Sequence, residues 1–207
     1  IVFAFSLRGQ QGPIGASLAP DAFNAQNAFT DMTSLSDHFP QRRAGSPNDG
    51  AIAAEVAQRF QQTKGFTVQE QSFNAATPDG TRTLQNVIGI RPGLEGGSVV
   101  VVAHRDSVHS RAYAEESGTA VLLDLARVLA GETIQRTVVL VSTSGSTGAA
   151  GATQLIRALP KPIDAVIVLG DMAGAGTREP IVVPWSSSMR VAPPQLRNTV
   201  AAALSAQ

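Results

Sequence analysis

The chain contains no cysteine among its 207 residues, so it builds neither a disulfide framework nor a cysteine zinc site. It also lacks an excess of either charge, with 16 Lys plus Arg against 16 Asp plus Glu. No basic field points to nucleic acid, and no acidic block reads as a solvated tail. Long hydrophobic runs are missing too. The apolar start Ile1–Leu7 is far short of the roughly 20 residues that cross a bilayer. Two readings of that start stand side by side. It is a loose N-terminal segment, or it is the trailing end of a membrane or signal helix upstream of Ile1. Histidine is scarce, and none follows His109.

Hydrophobic residues make up 43% of the chain, enough for a core and too many for disorder. The length suits one sizeable domain. The expected organisation is an apolar start and linker over 1–19 and a single α/β domain over 20–207. The apolar spacing predicts a helix over Asp21–His38, a turn-rich loop over Gln41–Asp49 and a second helix over Gly50–Lys64. Alternation predicts strands over Phe66–Phe73 and Leu84–Ile90, joined through Pro78-Asp79-Gly80. Beyond Gly97 the pattern becomes strand then helix. Strands are expected over Val99–Ala103, Thr137–Ser142 and Ile163–Leu169. Helices are expected over Gly118–Ala130, Gly148–Leu159 and at the C-terminal end from Ala201. Such alternation implies right-handed crossovers. The expected fold is therefore three-layer α/β/α around a mixed, mainly parallel central sheet, with the first two strands added as a hairpin.

The segment Val99–Gly118 is the most informative. A run of valines ends in Ala-His-Arg-Asp, as a buried parallel strand would. The C-terminal ends of such strands are where open α/β sheets place ligands. His104 and Asp106 fall there on one side of an extended chain, and an imidazole held by a carboxylate is a common pair at zinc.

Taken together, the pieces resemble the co-catalytic di-zinc aminopeptidase superfamily, which includes glutamate carboxypeptidase, glutaminyl cyclase and noncatalytic receptor domains. The resemblance covers roughly Asp21–Gly174. Arg43-Ala-Gly-Ser-Pro47 is similar to the family's opening loop and Asn86-Val-Ile88 to its second strand. His104-Arg-Asp106 with Ser117-Gly-Thr-Ala-Val-Leu-Leu123 resembles its first zinc motif and helix, and Asp171-Met172 its Asp-Met motif. The resemblance implies five zinc ligands, one of them a bridging aspartate, and a glutamate base that activates the bridging water. His104 matches the first histidine ligand, Asp106 the carboxylate that orients it, and Asp171 a later ligand.

The remaining positions depart from the pattern. Ala114 stands where the bridging acid belongs. Gly145 and Ser146 stand where the base and the next ligand belong. The final histidine has no counterpart. Zinc sites need three or four protein ligands, and neither glycine nor serine replaces a glutamate base. The expectation is therefore a noncatalytic, peptidase-like domain without bound zinc. His104, Asp106 and Asp171 are read as remnants, kept as a hydrogen-bonded pair and a turn cap. The domain would act in binding or assembly with a protein or peptide partner outside the cytoplasm. The resemblance also implies a cis peptide after the bridging aspartate, and with Ala114 there the Ala114–Glu115 bond is expected to be trans.

Two other readings stay open. An active zinc aminopeptidase would need His104, Asp171 and the displaced acids Glu115 and Glu116 as ligands, although such acids also solvate loops and helix starts. A serine hydrolase would use Ser146, which lies between a strand and a helix but lacks the first glycine of a nucleophile elbow. His109 reads as solvated. Ser36-Asp37-His38 reads as a surface triplet far from these motifs, and Asp124 with Arg127 as a surface pair.

Overall fold

A computed structural model of the chain describes residues 23–174 and 193–205. The chain divides into two compact units, and the one spanning Phe23–Ala175 carries the sheet. The apolar start, its membrane-helix reading and the linker lie outside the described residues.

Five strands form one mixed sheet in the order β1-β2-β4-β3-β5. They are β1 (Thr67–Thr77), β2 (Gly80–Arg91), β3 (Ser98–His104), β4 (Thr137–Thr143) and β5 (Ile163–Leu169). Strand β3 runs parallel to β4 on one side and to β5 on the other, with Val99 opposite Val138 and Ser98 opposite Ile163. The β1–β2 hairpin joins antiparallel through β2 and β4. The expected neighbours and hairpin are all present.

Helices cover both faces. Helix α1 spans Ala25–His38, α2 Pro47–Gln62, α3 Tyr113–Val128 and α4 Ala150–Leu155. On one face, Leu155 of α4 closes a core of Ile88, Val100, Val102, Val139 and Val141. On the other, Phe60 of α2 lies so close to Gly89 that an added Cβ would stand 2.7 Å from its ring. Gly118 of α3 approaches Ala103 of β3 there in the same way, at 3.0 Å. Helix α5 (Pro194–Ser205) belongs to the other unit.

Three boundaries differ from expectation, each for a local reason. Helix α2 starts at Pro47, inside the expected loop, because Ser46 accepts from the Asp49 N–H at 3.2 Å and Pro47 suits the first turn. Helix α3 starts at Tyr113 rather than Gly118, which puts Glu115 and Glu116 in its first turn, where the helix dipole favours acids. Helix α4 is shorter than expected. Its chain enters through Gly148 and Ala149 at positive φ and leaves through i→i−3 bonds at Arg157 and Ala158 before Pro160.

Candidate functional site

The C-terminal ends of β3, β4 and β5 bring His104, Asp106, Ser144–Gly148 and Asp171 to one end of the sheet. The β3–β4 ladder carries His104 beside Thr143, and Arg105 N–H extends it to Thr143 O at 3.1 Å. His104 Nε2 lies 3.8 Å from Asp171 Oδ1, too far for a hydrogen bond and close enough for an ion pair once the imidazole is protonated. Asp171 is therefore not simply a turn cap.

Asp106 does not orient His104. Its carboxylate accepts from Ser146, whose N–H reaches each oxygen at 3.1 Å and whose Oγ–H reaches Oδ2 at 2.9 Å. The cause lies in the preceding residue. Gly145 takes φ +82°, a left-handed turn that directs the next N–H back toward the end of β3. Burial pushes the Asp106 carboxyl above its usual range, and the Ser146 donors oppose that push. Because the Ser146 hydroxyl donates to a carboxylate and bonds to no histidine, it is not prepared as a hydrolase nucleophile.

The displaced acids have separate fates. Glu115 accepts from His109 Nδ1 at 3.0 Å. Burial alone would raise its carboxyl, but hydrogen bonds from Ser107 and His109 outweigh that and hold it below the usual value. His109 is 74% exposed, as expected of a solvated residue. Glu116 is neither solvated nor a ligand. It is fully buried, with Oε2 2.7 Å from Nε of an equally buried Arg42. The Arg42 Nε–H points at Arg105 O, so the contact with Glu116 is a close charge pair rather than an aligned hydrogen bond. Burial pushes the Glu116 carboxyl up to about 7, against the pull of Arg42.

The sequence reasoning missed a second buried pair beneath the site. Arg105, also fully buried, sits with Nε 2.9 Å from Asp49 Oδ1. It donates to Ser142 O at 3.1 Å and Gln85 O at 2.6 Å, so one guanidinium joins β2, β4 and α2. Asp49 Oδ2 in turn accepts from Ser144 Oγ at 2.5 Å and Gly45 N at 2.8 Å. The only sequence signal was position, since Arg42 and Arg105 flank the motifs. Arginine is rarely buried, so nothing marked them as interior.

Two further expectations are corrected. Asp124 is buried rather than on the surface, and accepts from Asn24 N at 2.9 Å as well as from Arg127 at 2.7 Å. Ser36 is buried too, and its neighbour Asp37 accepts from Tyr113 OH at 2.6 Å, which ties the end of α1 to the start of α3. The Ala114–Glu115 bond is trans, and the cis peptide among the described residues is Lys161–Pro162.

Zinc is the group the resemblance implies, and the donor set does not fit it. Ala114 and Gly145 offer no ligand atom. Glu116 is closed in against Arg42, and Asp106 is taken by Ser146. His104, Asp171 and Glu115, the last already bonded to His109, are left. Among the described residues no three of His, Asp and Glu converge as a metal site needs.

This fold, with His104 and Asp171 at its strand ends, defines a zinc-exopeptidase-like α/β domain. The model of peptidase family M28 matches residues 86–206, more than half of the chain, and the chain belongs to that family. A glutaminyl-peptide cyclotransferase from Boiga irregularis is 35% identical over 68 residues, which are 32% of this chain and 18% of the relative. Glutaminyl cyclase from Porphyromonas gingivalis superposes with a TM-score of 0.66 at 24% identity, covering 77% of this chain and 63% of that one. A Zn-dependent exopeptidase from Parabacteroides distasonis superposes at 0.58 and 19% identity, covering 73% and 63%. The chain thus spans less than two thirds of these proteins' own lengths.

Proposed function

We propose that this chain is a noncatalytic member of peptidase family M28 that acts in binding or assembly, with a protein or peptide partner outside the cytoplasm. The observation that carries the proposal is Gly145. A side chain at that position would start 2.7 Å from Leu84 Cδ1 and 3.0 Å from Ala150 Cβ, on a backbone at positive φ. A side chain there would have to move Leu84 and hold a backbone angle that favours glycine, so the base position is crowded as well as empty. The partner and the compartment rest on the family's noncatalytic receptor domains. No helix among the described residues is long and apolar enough to cross a membrane.

A second reading, a zinc aminopeptidase with rearranged ligands, is favoured by the 3.8 Å approach of His104 and Asp171. One experiment separates the two. Purified protein is dialysed extensively and analysed for zinc. It is then assayed for release of an N-terminal amino acid and for cyclisation of an N-terminal glutamine, with and without added zinc or cobalt. The noncatalytic reading expects far less zinc than protein and neither reaction. Stoichiometric zinc, with activity that disappears in His104→Ala, would replace it with the second reading.

A further inference from the structure

In the family's ligand pattern the loops after β3 and β4 are joined through metal, the first by the histidine that His104 matches and the second by the acid that Ser146 replaces. We propose that this chain joins the same two loops directly, through a protein-only clasp between Asp106 and Ser146, and that the clasp holds the strand-end surface in its folded form without metal. The inference rests on the noncatalytic reading of the site.

Three features support it. The clasp is dense, because Ser146 N–H and Oγ–H both point at a carboxylate that is only 3% exposed, and both oxygens are used. Hydrogen bonds to an ionised acceptor in such a setting are the strong ones. It is also continuous with the buried network below. Arg105 precedes Asp106 and bonds to Ser142 O, while Ser144 Oγ bonds to Asp49. The two loops are therefore tied at successive levels, first by arginine and then by carboxylate. Finally, clasp and ligand exclude each other. A glutamate at position 146 would set a second carboxylate against Asp106, and like charges at that distance repel unless a cation lies between them. The serine that stands in the ligand's place adds a hydroxyl donor to the backbone N–H that any residue there would supply.

Backbone amide exchange at Ser146, read residue by residue, tests the clasp in the folded protein. Asp106→Asn keeps the shape but leaves one acceptor oxygen where there were two. It should speed exchange of the Ser146 amide by roughly tenfold or more, since a hydrogen bond to a charged group typically biases opening by at least that factor. Ser146→Ala removes the hydroxyl alone and should give a smaller increase at the same amide. Thr147→Ala, at an exposed neighbour, should leave the Ser146 amide unchanged. Should Asp106→Asn prove unfolded, the Ser146→Ala comparison decides. If the Ser146 amide is as protected in the folded variants as in the parent, the clasp is wrong. The noncatalytic reading is judged separately. Zinc chloride or EDTA should leave the parent's exchange unchanged, and stoichiometric zinc that slows exchange at His104 and Asp171 would overturn that reading whatever Asp106→Asn does.

Discussion

Glu116 shows how far one residue's chemistry can depart from what its type suggests. Burial raises its carboxyl to about 7 despite the guanidinium 2.7 Å away. A group whose folded pKa lies above its unfolded value binds more protons when folded. Its contribution to stability is full below the ordinary carboxylate value of about 4.5, and is lost as pH rises through about 7. Asp106 is shifted in the same direction. Glu116→Gln should therefore flatten the decline in stability between pH 4.5 and 7, a difference on the order of 1–3 kcal/mol, read from denaturant midpoints at several pH values. An unchanged slope would mean that Glu116 stays ionised throughout. Gly145 gives a second residue-scale prediction. Gly145→Ala has to hold positive φ and push aside Leu84, so it should cost about 1–3 kcal/mol. Urea denaturation measures this, and a neutral result would show that the loop moves freely and the base position is open.

Between elements, buried arginine rather than apolar contact joins the hairpin, α2 and β4 at the site. Arg105→Met keeps the volume but leaves Asp49 charged and buried without its guanidinium partner, and removes the side-chain donors that Gln85 O and Ser142 O accept from. Removing one member of a buried ion pair typically costs about 3–5 kcal/mol. The expected result is a large fall in melting temperature, with the β2–β4 ladder inside the sheet losing protection first in hydrogen exchange. A fall no greater than for an exposed arginine such as Arg43 would show that water replaces the guanidinium. The strands were legible in the sequence because a buried strand writes its burial as a run of valine, as Val99–Val102 does, and turns write themselves as glycine and proline. His104 and Asp171 were legible as neighbours because both end parallel strands. The partners of Asp106 and Glu116 were not, nor was Asn24 as a second partner of Asp124 beside the Arg127 that its spacing did suggest. Each depends on where a side chain at a strand or helix end turns, and that is set by the φ of Gly145, by the first turn of α3 and by the packing of α1, none of which has a periodic signature.

For the whole molecule, the changes at the site act together and point away from reversal. Consider restoring the family pattern with Ala114→Asp, Gly145→Glu and Ser146→Glu. The first adds an acid beside Glu115 and Glu116 in the opening turn of α3. The second meets Leu84 at 2.7 Å from an unfavourable backbone angle. The third removes the hydroxyl donor to Asp106, leaves the backbone N–H, and brings a like charge to it. Domains of this size are stable by only about 5–15 kcal/mol, and neighbouring changes of this kind do not cancel. The triple variant should therefore be markedly less stable than the parent before any metal is considered. Added zinc should restore neither stability nor hydrolysis, because the described residues bring no three ligand side chains together. Calorimetry with and without zinc measures the first, and release of an N-terminal amino acid the second. A triple variant that melts with the parent, gains tens of degrees on adding zinc and cleaves substrate would mean that the site had kept its catalytic geometry and lost only its side chains. The opposite result follows from the structure, in which Ser146 Oγ–H is bonded to Asp106 and Leu84 crowds Gly145.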